Sequence, residues 1–289
     1  MLTPGALLRP ARAVYGAVRA RFQAGLSYLP LARARHRALQ RSAERSDQHT
    51  YTCFYRSRHQ LEALVGPIAD ALELRGKHSV TLVVFAASDG AEAYTLASEL
   101  LHRRPRLDFT VLASDLHEHT VRKAAAATYT ADEVTKSGAP GEFIDRTFDR
   151  AQDHWVVKPH IRARVSFEQA DLLEKSLPRQ FPRAELVFAQ NVFCHLAPPR
   201  ARQAFENVVR VLKRGGWLFL DGMDLDLRVE LTRARRLQPL DYKVKDIYQD
   251  ARRHVPSNWW DYYYGSEPYL PFSRGRLRRY CTIFEAAAA

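Results

Sequence analysis

The sequence contains few cysteines and lacks long apolar runs. Cys53, Cys194 and Cys281 are its three cysteines, and their spacing matches no metal-ligand motif. Scattered cysteines of this kind are typical of a reducing compartment rather than of a disulfide framework. No apolar stretch reaches the length of about 18 residues that a membrane-spanning helix needs. We therefore expect a cytoplasmic protein without a metal site.

Acidic residues are absent from the first 43 positions, where arginine is frequent and apolar residues between Leu7 and Phe22 recur at helical spacing. This pattern predicts a basic amphipathic helical extension over residues 1–48. Two interpretations stay open. The helix could lie on an anionic lipid surface, placing the protein peripherally on the inner membrane face, or it could pack on the main domain. The net charge of +12 also suits an acidic substrate.

The stretch from Ser79 to Leu96 predicts a strand, a tight turn and a helix. Val80 to Ala87 is apolar except for Thr81, as in a strand buried on both faces of a parallel sheet. Only Gly90 is present in the turn, which therefore lacks the GxGxxG pattern and favours a mononucleoside-like cofactor over a dinucleotide. A second apolar strand, from Phe109 to Ala113, leads to Asp115, a candidate acceptor for ribose hydroxyls.

Strands and helices alternate through residues 49–289, which predicts an α/β fold with a doubly wound, mostly parallel sheet. A helix is expected to end near Thr128, and a hairpin is expected in a short β-subdomain near residues 144–160. The helix from Ala201 to Leu212 is expected to end at Gly215-Gly216 as a C-cap. His117 and His119 have no ligand-type partners in the sequence and are interpreted as solvated.

Several motifs in this order resemble the CheR-type S-adenosylmethionine methyltransferases, which esterify glutamates of chemotaxis receptors. The resemblance covers about Thr50 to Gly222. It is carried by these segments: Phe54-Tyr55-Arg56, Ser88 to Tyr94, Ala113-Ser114-Asp115, Asp171-Leu172-Leu173, Gln190-Asn191-Val192 and Leu212 to Leu220.

The resemblance implies a class I methyltransferase fold, S-adenosylmethionine as cofactor and a set of site residues. Thr52 and Arg56 would contact the methionyl end of the cofactor, with Arg56 also on the substrate side. Glu92 would lie against the cofactor in the first helical turn, and Asp115 would hold the ribose. The remaining cofactor contacts would come from Asp171, Leu172, Gln190 and Asn191.

The chain also departs from the family pattern. Paired glutamates and a proline are replaced by Ala91-Glu92 and Ala93, and an expected tyrosine is replaced by His195. The Arg-rich leader stands where the family has a receptor-facing helical domain, and the β-subdomain loop is short. A segment near residues 255–272 is rich in aromatic residues and is a candidate substrate wall, with Trp259, Trp260, Tyr262 and Tyr263 as substrate-binding residues.

These observations favour carboxyl O-methylation of a small or lipid-like acid, such as a hydroxy fatty acid that would give a methyl-ester signal. A carboxylate needs no base, and Arg56 could align it with its fork of donors. Three alternatives stay open: methylation of a receptor glutamate, methylation of a hydroxyl with His195 as the base, and a non-catalytic cofactor-binding regulator. Gln190 to Phe193 stand where base-methylating enzymes carry their motif, so no nucleic-acid partner is expected.

Overall fold

A computed structural model describes residues 52–253 and 269–288. The predicted extension over residues 1–48 and the aromatic residues Trp259, Trp260, Tyr262 and Tyr263 lie outside the described residues.

The described residues form a sheet of seven strands in the order β6-β2-β1-β7-β8-β10-β9. The five strands from β6 to β8 are parallel, and β10 is antiparallel to both β8 and β9. This arrangement confirms the predicted doubly wound, mostly parallel α/β fold. The strands of the sheet are β1 (Ser79–Phe85), β2 (Asp108–Asp115), β6 (Val165–Gln169), β7 (Ala184–Gln190), β8 (Leu212–Asp221), β9 (Gln238–Pro239) and β10 (Ile283–Glu285).

Helices cover the sheet because the connections between its parallel strands must cross over. A π-helical turn at Leu64–Ile68, which contains Pro67, joins the first two helices. The helices are α1 (Arg58–Ala63), α2 (Ala69–Leu74), α3 (Ala91–Arg103), α4 (Glu118–Ala126), α5 (Ala131–Thr135), α6 (Gly141–Thr147), α7 (Pro159–Arg162), α8 (Leu177–Gln180), α9 (Pro198–Val211), α10 (Leu225–Ala234), α11 (Val244–Arg253) and α12 (Arg276–Tyr280).

The position of β1 determines where a ligand can bind. It pairs with β2 on one side and with β7 on the other, so the strand order reverses at β1. In open α/β sheets, ligands bind beyond the carboxyl ends of the strands at such a switch point. The turn after β1, which contains Gly90, therefore lies at the expected binding edge.

A separate antiparallel sheet of three strands lies between α4 and β6. It consists of β3 (Thr128–Thr130), β5 (His154–Val157) and β4 (Phe148–Ala151), in that order. The hairpin expected near residues 144–160 is the β4–β5 pair. The helix expected to end near Thr128 ends at Ala126, and Thr128–Thr130 then pair with β5 as a strand, which the sequence did not predict.

The predicted glycine C-cap of α9 is also wrong. α9 ends at Val211, and the chain enters β8 directly at Leu212, whose backbone is extended. Gly215 has a φ of +68°, and a Cβ on Gly216 would lie 2.8 Å from the carbonyl oxygen of Glu185. The two glycines therefore allow β8 to pass close to β7 where their register is irregular. No helix within residues 52–253 and 269–288 is long and apolar enough to cross a bilayer.

Candidate active site

A cleft opens at the carboxyl ends of β1, β2 and β7. Its empty space, including the open mouth, is about 1320 Å³. The structure brings together at this cleft every predicted site residue that it describes: Thr52, Arg56, Glu92, Asp115, Asp171, Leu172, Gln190, Asn191 and His195.

The segment before α1 places Arg56 at the cleft. Phe54 is 1% exposed and packs edge-on against Tyr129 and Phe148, with ring centroids 4.8 Å and 5.0 Å away. Tyr55 has a φ of 58°, and its backbone N–H donates to Thr95 Oγ1. The packing of Phe54 and the left-handed backbone of Tyr55 direct Arg56 into the cleft. Each residue of the Phe-Tyr-Arg sequence therefore has a structural role.

Asp115 ends β2 and is 7% exposed. One carboxylate oxygen, Oδ2, accepts a hydrogen bond from Ser88 N over 2.8 Å. The other, Oδ1, accepts from His117 N over 3.0 Å and from Thr120 Oγ1 over 2.9 Å. A carboxylate offers about four lone-pair sites, so it can still accept from a ligand while it holds the turns after β1 and β2 together.

Glu92 lies in the first turn of α3, where its carboxylate Oε1 accepts a hydrogen bond from Gln190 Nε2. Burial of the carboxyl raises the pKa of Glu92 to about 7, and the negative charge of Asp221 adds to this rise. The Arg56 guanidinium and the Gln190 hydrogen bond oppose it. Near neutral pH, Glu92 can therefore be protonated or ionised, depending on what occupies the cleft.

The loop after β7 is fastened to the end of β8. Asn191 N donates to Asp221 O over 2.9 Å, and Cys194 N donates to Gly222 O over 2.8 Å. Gly222 has a φ of +63°, and a Cβ there would lie 2.4 Å from Asn191 Cα. Only glycine fits this contact. It holds the turn at Phe193–His195, so that His195 lines the cleft.

The loop after β6 forms another part of the rim. Asp171 Oδ1 accepts from Leu173 N over 2.8 Å. Asn207, which is 4% exposed on α9, donates through Nδ2 to the carbonyl oxygens of Leu172 and Glu174. The buried amide of Asn207 thus fixes the loop that carries Asp171 and Leu172.

Some residues that shape the cleft were not predicted. Asn207 and Gly222 act through long-range contacts for which the sequence carries no local signal. Arg200, in the first turn of α9, also lines the cleft. His117, interpreted from the sequence as solvated, is half-buried and lines the cleft, and its backbone N–H donates to Asp115. His119 is exposed as expected.

The site fits S-adenosylmethionine, the cofactor that the resemblance implies. Gln190 is 9% exposed, and no donor among the described residues reaches its buried Oε1. Together with Glu92 it offers acceptors suited to an ammonium group. Ala86, Ser88 and Asn191 line the cleft with φ values of 55°, 52° and 55°. Left-handed backbone at non-glycine residues is costly and concentrates at ligand sites.

Comparison with known proteins identifies one family. The family model described as "CheR methyltransferase, SAM binding domain" matches residues 50–232. An uncharacterized 104.1 kDa protein of Rhodobacter capsulatus is 27% identical over 187 residues, which are 62% of this chain and 19% of that protein. The chemotaxis protein methyltransferase of Listeria monocytogenes is 26% identical over 67% of this chain and 68% of its own length.

A further relative is named the probable biofilm formation methyltransferase WspC of Pseudomonas putida. It is 26% identical over 58% of this chain and 40% of its own length. This chain therefore spans from a fifth to about two thirds of these relatives. Among solved structures, a magnesium protoporphyrin IX methyltransferase from Synechocystis with bound SAM covers 80% of this chain and 81% of its own, at 13% identity and a TM-score of 0.39.

Proposed function

The chain belongs to the CheR methyltransferase family, whose cofactor is S-adenosylmethionine, and from this premise we propose that it methylates a carboxylate to give a methyl ester. The observation that carries the proposal is the position of Arg56, which lines the same cleft as the residues that fit the cofactor. When bound, the cofactor supplies a methyl group made electrophilic by its sulfonium.

The residues of this chain suit a carboxylate acceptor. A carboxylate is already a nucleophile, so the protein has to align it and remove water from it rather than take a proton from it. The guanidinium of Arg56 presents donors in a fixed fork that matches the two oxygens of a carboxylate. The aromatic anchor at Phe54 restricts the motion of this segment, which supports an aligning role.

For the acceptor itself, we favour the carboxylate of a glutamate side chain on a protein. The relatives named as chemotaxis protein methyltransferases support this choice. The loop of the β-subdomain, which some members of the family use to dock on a receptor tail, is short here, because only Gln152 and Asp153 join β4 to β5. The choice of a protein glutamate therefore rests on the named relatives.

A small or lipid-like acid is the second candidate acceptor. It rests on the aromatic sequence near residues 255–272, where Trp259 and Trp260 could contact an acyl chain. If the basic segment of residues 1–48 binds an anionic membrane surface, it would bring the protein close to a lipid-like substrate. This membrane association remains a prediction. A hydroxyl acceptor would need a base, and His195 lies at the cleft for that role.

Transfer of a labelled methyl group from S-adenosylmethionine to a panel of acceptors tests the proposal. The panel contains glutamate-rich receptor fragments, fatty acids, hydroxy fatty acids and the corresponding alcohols. We expect label on receptor fragments, and a glutamate-to-glutamine change in the fragment should abolish it. Label on fatty acids alone would favour the second candidate, and label on alcohols alone would contradict carboxylate methylation.

A further inference from the structure

Arg228, on α10, carries a guanidinium into the protein interior, where its side chain is 0% exposed. Its Nη2 donates to the carbonyl oxygen of Arg279 over 2.5 Å, and its Nη1 lies 3.8 Å from Asp221 Oδ1. Within residues 52–253 and 269–288, Nε and Nη1 have no hydrogen-bond acceptor. Arginine does not lose its proton in proteins, so Arg228 is a permanent buried cation.

Asp221 connects this cation to the cleft. It ends β8, is 3% exposed, and stands opposite Gln190 in the register of β7 and β8. Gln190 in turn donates to Glu92. A continuous line of neighbours therefore leads from Arg228 through Asp221 and Gln190 to Glu92, which lines the cleft.

We propose that Asp221 is a positioning residue of the cofactor site: its carboxylate disfavours the ionised form of Glu92, and Arg228 is the buried counter-ion beside that carboxylate. Neither residue lines the cleft, so both act through Glu92. The inference rests on cofactor binding by this family and not on the identity of the methyl acceptor.

Charged groups on the neighbouring elements determine whether Glu92 is protonated or ionised. Arg56 faces it from the segment before α1 and favours the ionised form, whereas Asp221 faces it from β8 and disfavours that form. β7 contributes the neutral donor Gln190. An ammonium group binds an ionised carboxylate better than a protonated one, so cofactor affinity should be high above the pKa of Glu92 and fall below it.

The test measures the affinity for S-adenosylhomocysteine by calorimetry from about pH 5.5 to about pH 9. In the wild type, we expect a plot of affinity against pH to change slope near the pKa of Glu92, with weaker binding on the acid side. This change of slope is the break. Asp221→Asn removes the repulsive charge and should move the break to lower pH. Affinity at alkaline pH should change little, because Glu92 is ionised there in both proteins.

Asp226→Asn is the matched control. Asp226 is an acid on α10, the helix that carries Arg228, and it pairs with Arg279 over 2.8 Å. The control should leave the break at the wild-type pH. An unmoved break in Asp221→Asn, or an equal shift in Asp226→Asn, would overturn the inference.

Asp221→Asn leaves the Arg228 charge uncompensated and can fail to fold. The double variant Asp221→Asn/Arg228→Met removes both charges and should shift the break in the same direction by a smaller amount. Glu92→Gln should bind without a break. A wild-type break in either variant contradicts the inference. Absence of binding at every pH would overturn the cofactor site itself and this inference with it.

Discussion

The backbone N–H of Tyr55 donates a hydrogen bond to Thr95 Oγ1 over 3.2 Å, and this bond fastens the segment that carries Arg56 to α3, the helix that carries Glu92. Thr95 is 3% exposed and its hydroxyl donates to Ala91 O over 2.7 Å, so the connection is buried and directed. The segment that carries Arg56 and the helix turn that carries Glu92 are therefore held together by these two hydrogen bonds of Thr95.

Arg56→Lys should lower turnover by about 10²-fold, since a point charge does not reproduce the paired donors that align a carboxylate. Affinity for S-adenosylhomocysteine should change far less, because the positive charge beside Glu92 remains. Steady-state kinetics and calorimetry measure the two effects. Arg58→Lys is the control: Arg58 is exposed and paired with Glu62, and its variant should keep full activity. Equal losses in both variants would contradict the alignment role.

Asp115→Ala should weaken binding of S-adenosylhomocysteine by about 1–3 kcal/mol, the cost of losing a charged acceptor. The carboxylate also holds three protein donors, so a control must separate ligand binding from turn geometry. Thr120→Val removes one of those donors and leaves the carboxylate. Calorimetry should show near wild-type affinity for Thr120→Val. Unchanged affinity in a folded Asp115→Ala protein would refute the assignment of Asp115.

Glu92→Gln should make the ligand-free protein more stable at alkaline pH. The folded-state pKa of Glu92 is about 7, above its ordinary value of 4.5. A raised pKa means that this group contributes stability below about pH 4.5 and loses that contribution as pH rises towards 7. The variant should therefore gain on the order of 3 kcal/mol in unfolding free energy at pH 8, and little at pH 5.

Urea denaturation at the two pH values measures this difference. Glu133→Gln is the control, because hydrogen bonds from Lys123 and Thr130 lower the pKa of Glu133 despite its partial burial. That variant should not gain stability at pH 8. A gain for Glu92→Gln of the same size at both pH values would indicate better packing rather than the removal of a buried charge.

Gly222→Ala should destabilise the protein and weaken cofactor binding together. The new Cβ would overlap Asn191 Cα, so the loop that leads to His195 must move. We expect a loss of about 2–4 kcal/mol in unfolding free energy. Gly138→Ala is the control, since Gly138 has a similar φ of +70° with no atom within 4 Å of a Cβ. It should lose only about 1 kcal/mol, the cost of a left-handed alanine.

Local sequence was sufficient to predict the parts of the site that lie on strand ends. The apolar run of β1, the turn with Gly90 and the acid at the end of β2 are adjacent in the chain, and the parallel sheet brings such strand ends to one edge. The position of Asp115 at the cleft follows from that rule. The resemblance added Gln190, Asn191 and Arg56, and the position of Arg56 depends on the packing of Phe54.

Other features could not be predicted, because they depend on contacts between distant segments. Thr128–Thr130 form a strand only because β5, more than twenty residues later, pairs with them. The sequence predicts Gly215 and Gly216 as a helix cap, but in the structure they allow β8 to pass close to the neighbouring strand β7. Arg228 is buried because α10 packs against α12, where the carbonyl oxygen of Arg279 accepts a hydrogen bond from its Nη2.

The chemical stability of the methylated product tests the central claim most directly. Protein is incubated with S-adenosylmethionine carrying a labelled methyl group and with the acceptor that takes up label, and the product is then treated with mild base. A carboxyl methyl ester predicts release of the label as volatile methanol, and Arg56→Lys should reduce the amount formed. Label that stays on the acceptor through mild base would show an ether or a methylated amine, and would contradict carboxyl methylation.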